Sequence, residues 1–122
     1  FNLRFSSELT QNNIKDKFKE IISKFNCEHE INWSCSAEPF ITNEGRLTNV
    51  LQEAIKETVD IHPDLSTTGG TSDARFISKH AKETVEFGPL NTTAHKINEN
   101  INLQNLIDLE KIYYLVLSKT LL

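Results

Sequence analysis

The sequence predicts an α/β fold in which helices cover a mixed sheet. Two patterns point to it. Apolar residues alternate at the strand period in residues 1–5 and 29–35, and they recur at the helical period between these runs and again in 47–59 and 103–116. A short run, Val85-Glu86-Phe87, stops at Gly88-Pro89, as a buried strand would.

In chain order, Phe1, Leu3 and Phe5 alternate with Asn2 and Arg4, the pattern of a half-buried strand. Ser6, Ser7 and Thr10 offer helix caps, and Ile14, Phe18, Ile21, Ile22 and Phe25 predict an amphipathic helix over about residues 10–26. His29, Ile31, Trp33 and Cys35 predict a second strand, which completes a βαβ-like unit. The run SAEPFITNEG breaks the pattern and places a domain boundary near Glu38, dividing the chain into residues 1–38 and 39–122.

Leu47, Val50, Leu51, Ala54, Ile55 and Val59 predict a second amphipathic helix, ended by His62-Pro63-Asp64 because a residue before Pro disfavours the helical region. In the turn that follows, Gly69 and Gly70 allow positive φ and a close main-chain approach. Thr71, Ser72 and Asp73 are candidate caps for a helix with Phe76 and Ile77 on its inner side. Asn102 is a candidate N-cap for a last helix, whose Leu103, Leu106, Ile107, Ile112, Tyr113 and Val116 form a broad apolar face toward the sheet.

The 122 residues are 38% hydrophobic and 25% charged, ordinary values for a globular domain that buries about two thirds of its unfolded surface. A net charge of −4 without a basic patch argues against a nucleic-acid partner. No apolar run approaches the roughly 20 residues of a membrane helix, so no membrane partner is expected. Cys27 and Cys35 make no disulfide framework and are expected to be reduced, as in a cytoplasmic enzyme. With no Met and a strand pattern opening at Phe1, the chain is expected to be a fragment preceded by further residues.

Candidate chemistry sits mainly in polar loops. His95 lies in the loop after the Val85 strand, where open α/β sheets place their sites. A single loop His is more often satisfied by backbone than bound to metal, and zinc needs three or four ligands. Arg4 projects from the face opposite Phe1, Leu3 and Phe5; it reads either as a solvent-facing strand residue or as a bidentate fork for a carboxylate. Gly70, Thr71 and Asn91 read as turn chemistry or as uncharged donors that orient a substrate, and Ser36 fits the same role. Asp73 is expected to cap or support its loop, and Glu83 and Glu86 to be strand-edge charges. His29, His62 and His80 have no evident partners.

The runs GGTSDARF and VEFGPLNTTAHKINE, with FNLRFS and SAEPF, resemble the C-terminal part of the di-zinc aminoacylase and carboxypeptidase family. The resemblance implies that residues 1–38 end a lid domain carrying a homodimer contact, and that 39–122 close the catalytic domain. It implies a metal-dependent hydrolase with two zinc ions per subunit, cobalt being possible. The implied substrate is N-succinyl-LL-2,6-diaminopimelate, cleaved to succinate and LL-diaminopimelate on the route to lysine and cell-wall peptide. His95 falls on the family's late metal ligand, while Arg4, Ser36, Gly70, Thr71 and Asn91 fall on substrate contacts. Ala37 departs from the Gly expected after that Ser, which weakens the Ser36 assignment. The other metal ligands and the general-base Glu would lie upstream, so the chain alone is expected to be inactive. A related deacylase, such as one acting on acetylornithine, and a non-catalytic dimerisation module are the competing readings.

Overall fold

A computed structural model describes all residues from 1 to 122 except Gly69 and Thr71. Its regular elements are four helices: α1 (Gln11–Ile22), α2 (Arg46–Val59), α3 (Ala74–Ile77) and α4 (Leu103–Leu121). Among the described residues no strand forms, so of the expected α/β architecture only the helices are present. The runs at 1–5, 29–35 and 85–87 have no regular structure. The physical reason is partnership: a strand is held by a neighbour's N–H and C=O groups, and no backbone ladder joins these runs to another segment. At Thr84 a side chain takes that place. The Thr42 hydroxyl accepts the Thr84 N–H at 3.2 Å and donates to the Thr84 carbonyl at 2.7 Å.

α1 begins where Thr10 and Asn13 cap each other. The Asn13 N–H donates to the Thr10 hydroxyl at 3.1 Å, and the Thr10 N–H to the Asn13 side chain at 3.0 Å. The helix is shorter than the apolar spacing predicts. After Ile22 the bonds tighten to three-residue spacing, Lys24 to Ile21 and Phe25 to Ile22, and Phe25 turns out to solvent. No α1 residue is fully buried. Its Phe18 stacks on Phe1 at 5.2 Å between centroids and meets Trp33 edge-on at 5.4 Å, so it packs on flanking segments.

The core lies between α2 and α4. Leu51, Ala54 and Ile55 meet Ile112, with Val59, Val85, Phe87, Leu115 and Val116 packed around them. Apolar positions of α2 recur three and four residues apart, so one stripe faces α4. α2 ends at Asp60, whose φ of 57° is left-handed and whose side chain pairs with Lys56, three residues ahead of Pro63. Lys119 of α4 reaches back to α2, 3.1 Å from Glu57 and 3.6 Å from Glu53. Arg46 donates to the Lys119 and Thr120 carbonyls, which lack partners at the helix end.

Asn102 caps α4 as its sequence predicts, accepting the Gln104 N–H at 2.8 Å. The apolar face of α4 is covered only along one stripe. Ile112 is buried, but Leu103, Leu106, Ile107 and Tyr113 are exposed, because α2 is the one helix that meets α4 among the described residues. α3 is a single turn and also departs from expectation: Phe76 and Ile77 are 47% and 56% exposed, and Ala74 is the residue turned inward. No helix is long and apolar enough to cross a membrane among the described residues.

Candidate functional site

Residues 83–87 form a spine on which the candidate loops hang. The Glu83 carboxylate accepts the N–H groups of Arg46 and Leu47, at 3.0 and 2.6 Å, and so caps α2. Those N–H groups have no partner inside the helix, and they form the positive end of its dipole. Thr84 is held by Thr42. Val85 and Phe87 pack on the α2–α4 core. Glu86 accepts a hydrogen bond from Ser72, whose oxygen also receives the Ala74 N–H at 3.0 Å. The Tyr113 hydroxyl of α4 donates to the Phe87 carbonyl, and the two rings meet edge-on at 5.9 Å. Glu83 and Glu86 are thus not strand-edge charges; each ties the spine to the start of a helix.

The spine leads through Gly88-Pro89 into the loop that carries His95. Turns close from Asn91 to Ala94 and from Thr93 to Lys96, and Lys96 Nζ donates to the Thr92 carbonyl at 2.6 Å. Thr93 clasps Asn100 by two hydrogen bonds, its hydroxyl donating at 2.7 Å and accepting at 3.1 Å. Between them His95 and Asn98 are left-handed, with φ of 62° and 63°. Positive φ is uncommon outside glycine, and Asn and His are among the residues that adopt it most often.

The described members of the predicted site lie in three places. Asn91 and His95 share one exposed loop. Gly70 lies two residues before Ser72, which the spine holds through Glu86. Gly70 does not use positive φ, and nothing lies within 4 Å of the position its Cβ would take, so the main chain there is open to approach. Thr71 and Gly69 lie outside the described residues. Arg4 and Ser36 are exposed in the N-terminal section, and among the described residues no hydrogen bond or ion pair joins them to the His95 loop. Ser72, rather than Asp73, makes the cap contact at α3.

As a metal site these residues fit in part. The His95 imidazole is exposed, and among the described residues no hydrogen bond engages it, so it can serve as one donor. No group of three or more His, Cys, Asp or Glu able to hold a metal occurs among the described residues. His29 is turned to the Cys27 carbonyl at 3.0 Å, and Cys27 and Cys35 are free, exposed thiols. Sequence reasoning missed Thr42 and Thr93, and it gave Glu83 and Tyr113 other roles than the contacts they make. Only Tyr113 left a signal, a hydroxyl on an otherwise apolar face.

The chain is similar to known proteins along nearly all its length. It is 45% identical to the succinyl-diaminopimelate desuccinylase of Thiobacillus denitrificans over 121 residues, which is 99% of this chain and 31% of that protein. The proteins of the same name from Nitrosomonas eutropha and Pseudoalteromonas atlantica are 43% and 40% identical, over 100% and 99% of this chain and 32% of each relative. The chain therefore spans about a third of the length of the curated relatives it matches. The spine, the glycine turn and the His95 loop all fall within residues 6–119, which match the model of peptidase family M20/M25/M40, and the chain belongs to that family.

Proposed function

We propose that this chain is a fragment of a zinc-dependent amide hydrolase that converts N-succinyl-LL-2,6-diaminopimelate and water to succinate and LL-2,6-diaminopimelate. The observation that carries the reading is the 40–45% identity to three proteins of one name across 99–100% of this chain. Residues 1–38 end a lid that dimerises, and 39–122 belong to the catalytic domain. The runs at 1–5, 29–35 and 85–87 pair with strands from the rest of the protein, which also covers the open face of α4. The enzyme works in the cytoplasm.

Each residue has a role in keeping with its chemistry. His95 supplies one nitrogen donor to a metal, zinc or cobalt, from a loop whose backbone is held in an uncommon conformation. Arg4 presents a planar fork to a substrate carboxylate. Gly70, Thr71 and Asn91, with Ser36 from the lid boundary, supply uncharged donors that orient the substrate's carboxylates and amine. Two bound metal ions would supply polarisation of the amide carbonyl and activation of water. The remaining metal ligands and the proton acceptor come from outside these residues.

The test is the full-length enzyme and its His95→Ala variant. The wild type should hold two metals per subunit and cleave the succinyl substrate in preference to N-acetylornithine. The variant should lose one metal and keep its fold. Preference for N-acetylornithine would move the protein to a related deacylase. Two metals retained in the variant would remove His95 from the ligand set.

A further inference from the structure

We infer that Glu86 is a positioning residue for the substrate, holding Gly70 at a fixed distance from the Asn91 loop. The inference rests on the reading of Gly70 and Asn91 as substrate contacts and adds what sets their spacing. The Ser72 hydroxyl donates to a Glu86 carboxylate oxygen across 14 positions of sequence. The same hydroxyl oxygen receives the Ala74 N–H at 3.0 Å. Ser72, two residues after Gly70, therefore joins that stretch to the start of α3 and to the spine.

Glu86 can act as an anchor because its neighbours are fixed. Val85 and Phe87 pack on the α2–α4 core, and the Phe87 carbonyl accepts the Tyr113 hydroxyl. From that anchor the chain runs through Gly88-Pro89 to Asn91. Gly70 has little else to hold it. Nothing lies within 4 Å of the position its Cβ would take. The Ser66 and Thr68 hydroxyls meet at 3.0 Å, a bond that stays within the segment. Among the described residues between Asp64 and Ser72, the Ser72–Glu86 contact is the one hydrogen bond to a segment beyond α3. A hydroxyl on a carboxylate is a charge-assisted donor–acceptor pair, stronger than one between neutral partners. With it in place, Gly70 and Asn91 are both set from the spine. Without it, Gly70 is free to shift relative to Asn91 while the α2–α4 core is untouched.

The experiment uses the full-length enzyme and compares Glu86→Ala, Glu86→Gln, Ser72→Ala and Gly70→Ala. KM and kcat are measured with N-succinyl-LL-2,6-diaminopimelate, and thermal unfolding is measured without it. Glu86→Ala removes the acceptor and should raise KM about tenfold with kcat nearly unchanged, below the roughly hundredfold that a misplacement of about 1 Å can cost. Glu86→Gln keeps an oxygen acceptor for the Ser72 hydroxyl and should return KM to within about threefold of wild type. Ser72→Ala added to Glu86→Ala should raise KM no further, since both remove one bond. A wild-type KM in Glu86→Ala, or an equal rise in Glu86→Ala and Glu86→Gln, would overturn the inference. So would a lower unfolding midpoint with reduced kcat and unchanged KM, the mark of a merely structural role. Gly70→Ala tests the reading beneath: its methyl group meets nothing in the protein, so it should raise KM only by crowding a bound substrate. A wild-type KM in Gly70→Ala would remove Gly70 from the substrate site, and the inference with it. A raised KM there, with a wild-type KM in Glu86→Ala, would overturn the inference alone. Should Glu86→Ala not fold, Ser72→Ala takes its place beside Glu86→Gln, and a wild-type KM in Ser72→Ala would overturn the inference.

Discussion

The carboxylate of Glu83 accepts the backbone N–H of Leu47 at 2.6 Å from 36 positions away in sequence, while its other oxygen takes the N–H of Arg46 at 3.0 Å. Gly45 cannot cap α2 with a side chain, so a distant carboxylate does so, where the helix dipole favours negative charge. Glu83→Ala should cost about 1–2 kcal/mol, the scale of a lost helix cap with its charge. Urea denaturation of the variant checks this. A midpoint equal to wild type would mean that water replaces the carboxylate without loss.

The same carboxylate lies against Gly45. The Gly45 φ of −160° is open to any residue, so conformation does not require glycine there. A Cβ there would lie 2.6 Å from Cδ and 2.9 Å from Oε2 of Glu83. The carboxylate is the far end of a flexible side chain and can swing aside, so Gly45→Ala should cost no more than the cap it displaces, about 1–2 kcal/mol. In a Glu83→Ala background the penalty should largely disappear, and a double-mutant cycle measures that coupling. Additive effects would show that the carboxylate is not what the methyl group displaces.

The core is small, so each member should matter. Ile112 is 4% exposed and sits against Leu51, Ala54 and Ile55. Ile112→Ala removes buried methyl and methylene groups and leaves a cavity, at an expected cost of about 2–5 kcal/mol. A loss below about 1 kcal/mol in chemical denaturation would mean that α2 and α4 close over the gap.

What was legible in the sequence was local. Asn102 announced the start of α4 because an N-cap bonds its own helix two residues on. The spacing of Leu47, Leu51, Ala54, Ile55 and Val59 marked α2 to within a residue. What was not legible was nonlocal. Nothing near Glu83 shows that its carboxylate reaches residue 46, nor does Thr42 show that it reaches Thr84. The strand period at Phe1, Leu3 and Phe5 describes a surface that needs a neighbour, and no ladder forms there among the described residues. His95 could be singled out from its motif, but its left-handed backbone and the Thr93 clasp could not.

The α2–α4 contact should weaken at high pH. Hydrogen bonding to Glu57, helped by the charges of Glu57 and Glu53, raises the Lys119 pKa above its ordinary value. A cation whose folded pKa is raised contributes stability that is complete below the unfolded pKa, about 10.4. That contribution is lost as pH rises through the folded value. Lys119→Met should therefore lower stability slightly near neutral pH, where the ammonium is paired, and the two curves should converge at alkaline pH. The effect should be small because the ammonium is exposed and screened. A gap between the curves that stays constant across the pH range would assign the alkaline loss to other groups.

Arg4 and substrate recognition give the last prediction, which rests on the proposed activity. Arg4 is exposed, and among the described residues no ion pair occupies its guanidinium, so the fork is open to a ligand. Arg4→Lys keeps the charge but replaces two parallel donors with a single ammonium, which cannot match both oxygens of a carboxylate. In the full-length enzyme the loss should be about 1.5–3 kcal/mol of transition-state stabilisation, the worth of a charge-assisted hydrogen bond. That corresponds to a fall in kcat/KM of about tenfold to a hundredfold. Metal content should not change, because Arg4 is not a donor to the metal. The same substitution should matter less with a substrate analogue that lacks the bound carboxylate, since the fork then has no partner to lose. A kcat/KM within about twofold of wild type would show that Arg4 does not touch the substrate. A loss of metal would assign it a structural part in the site.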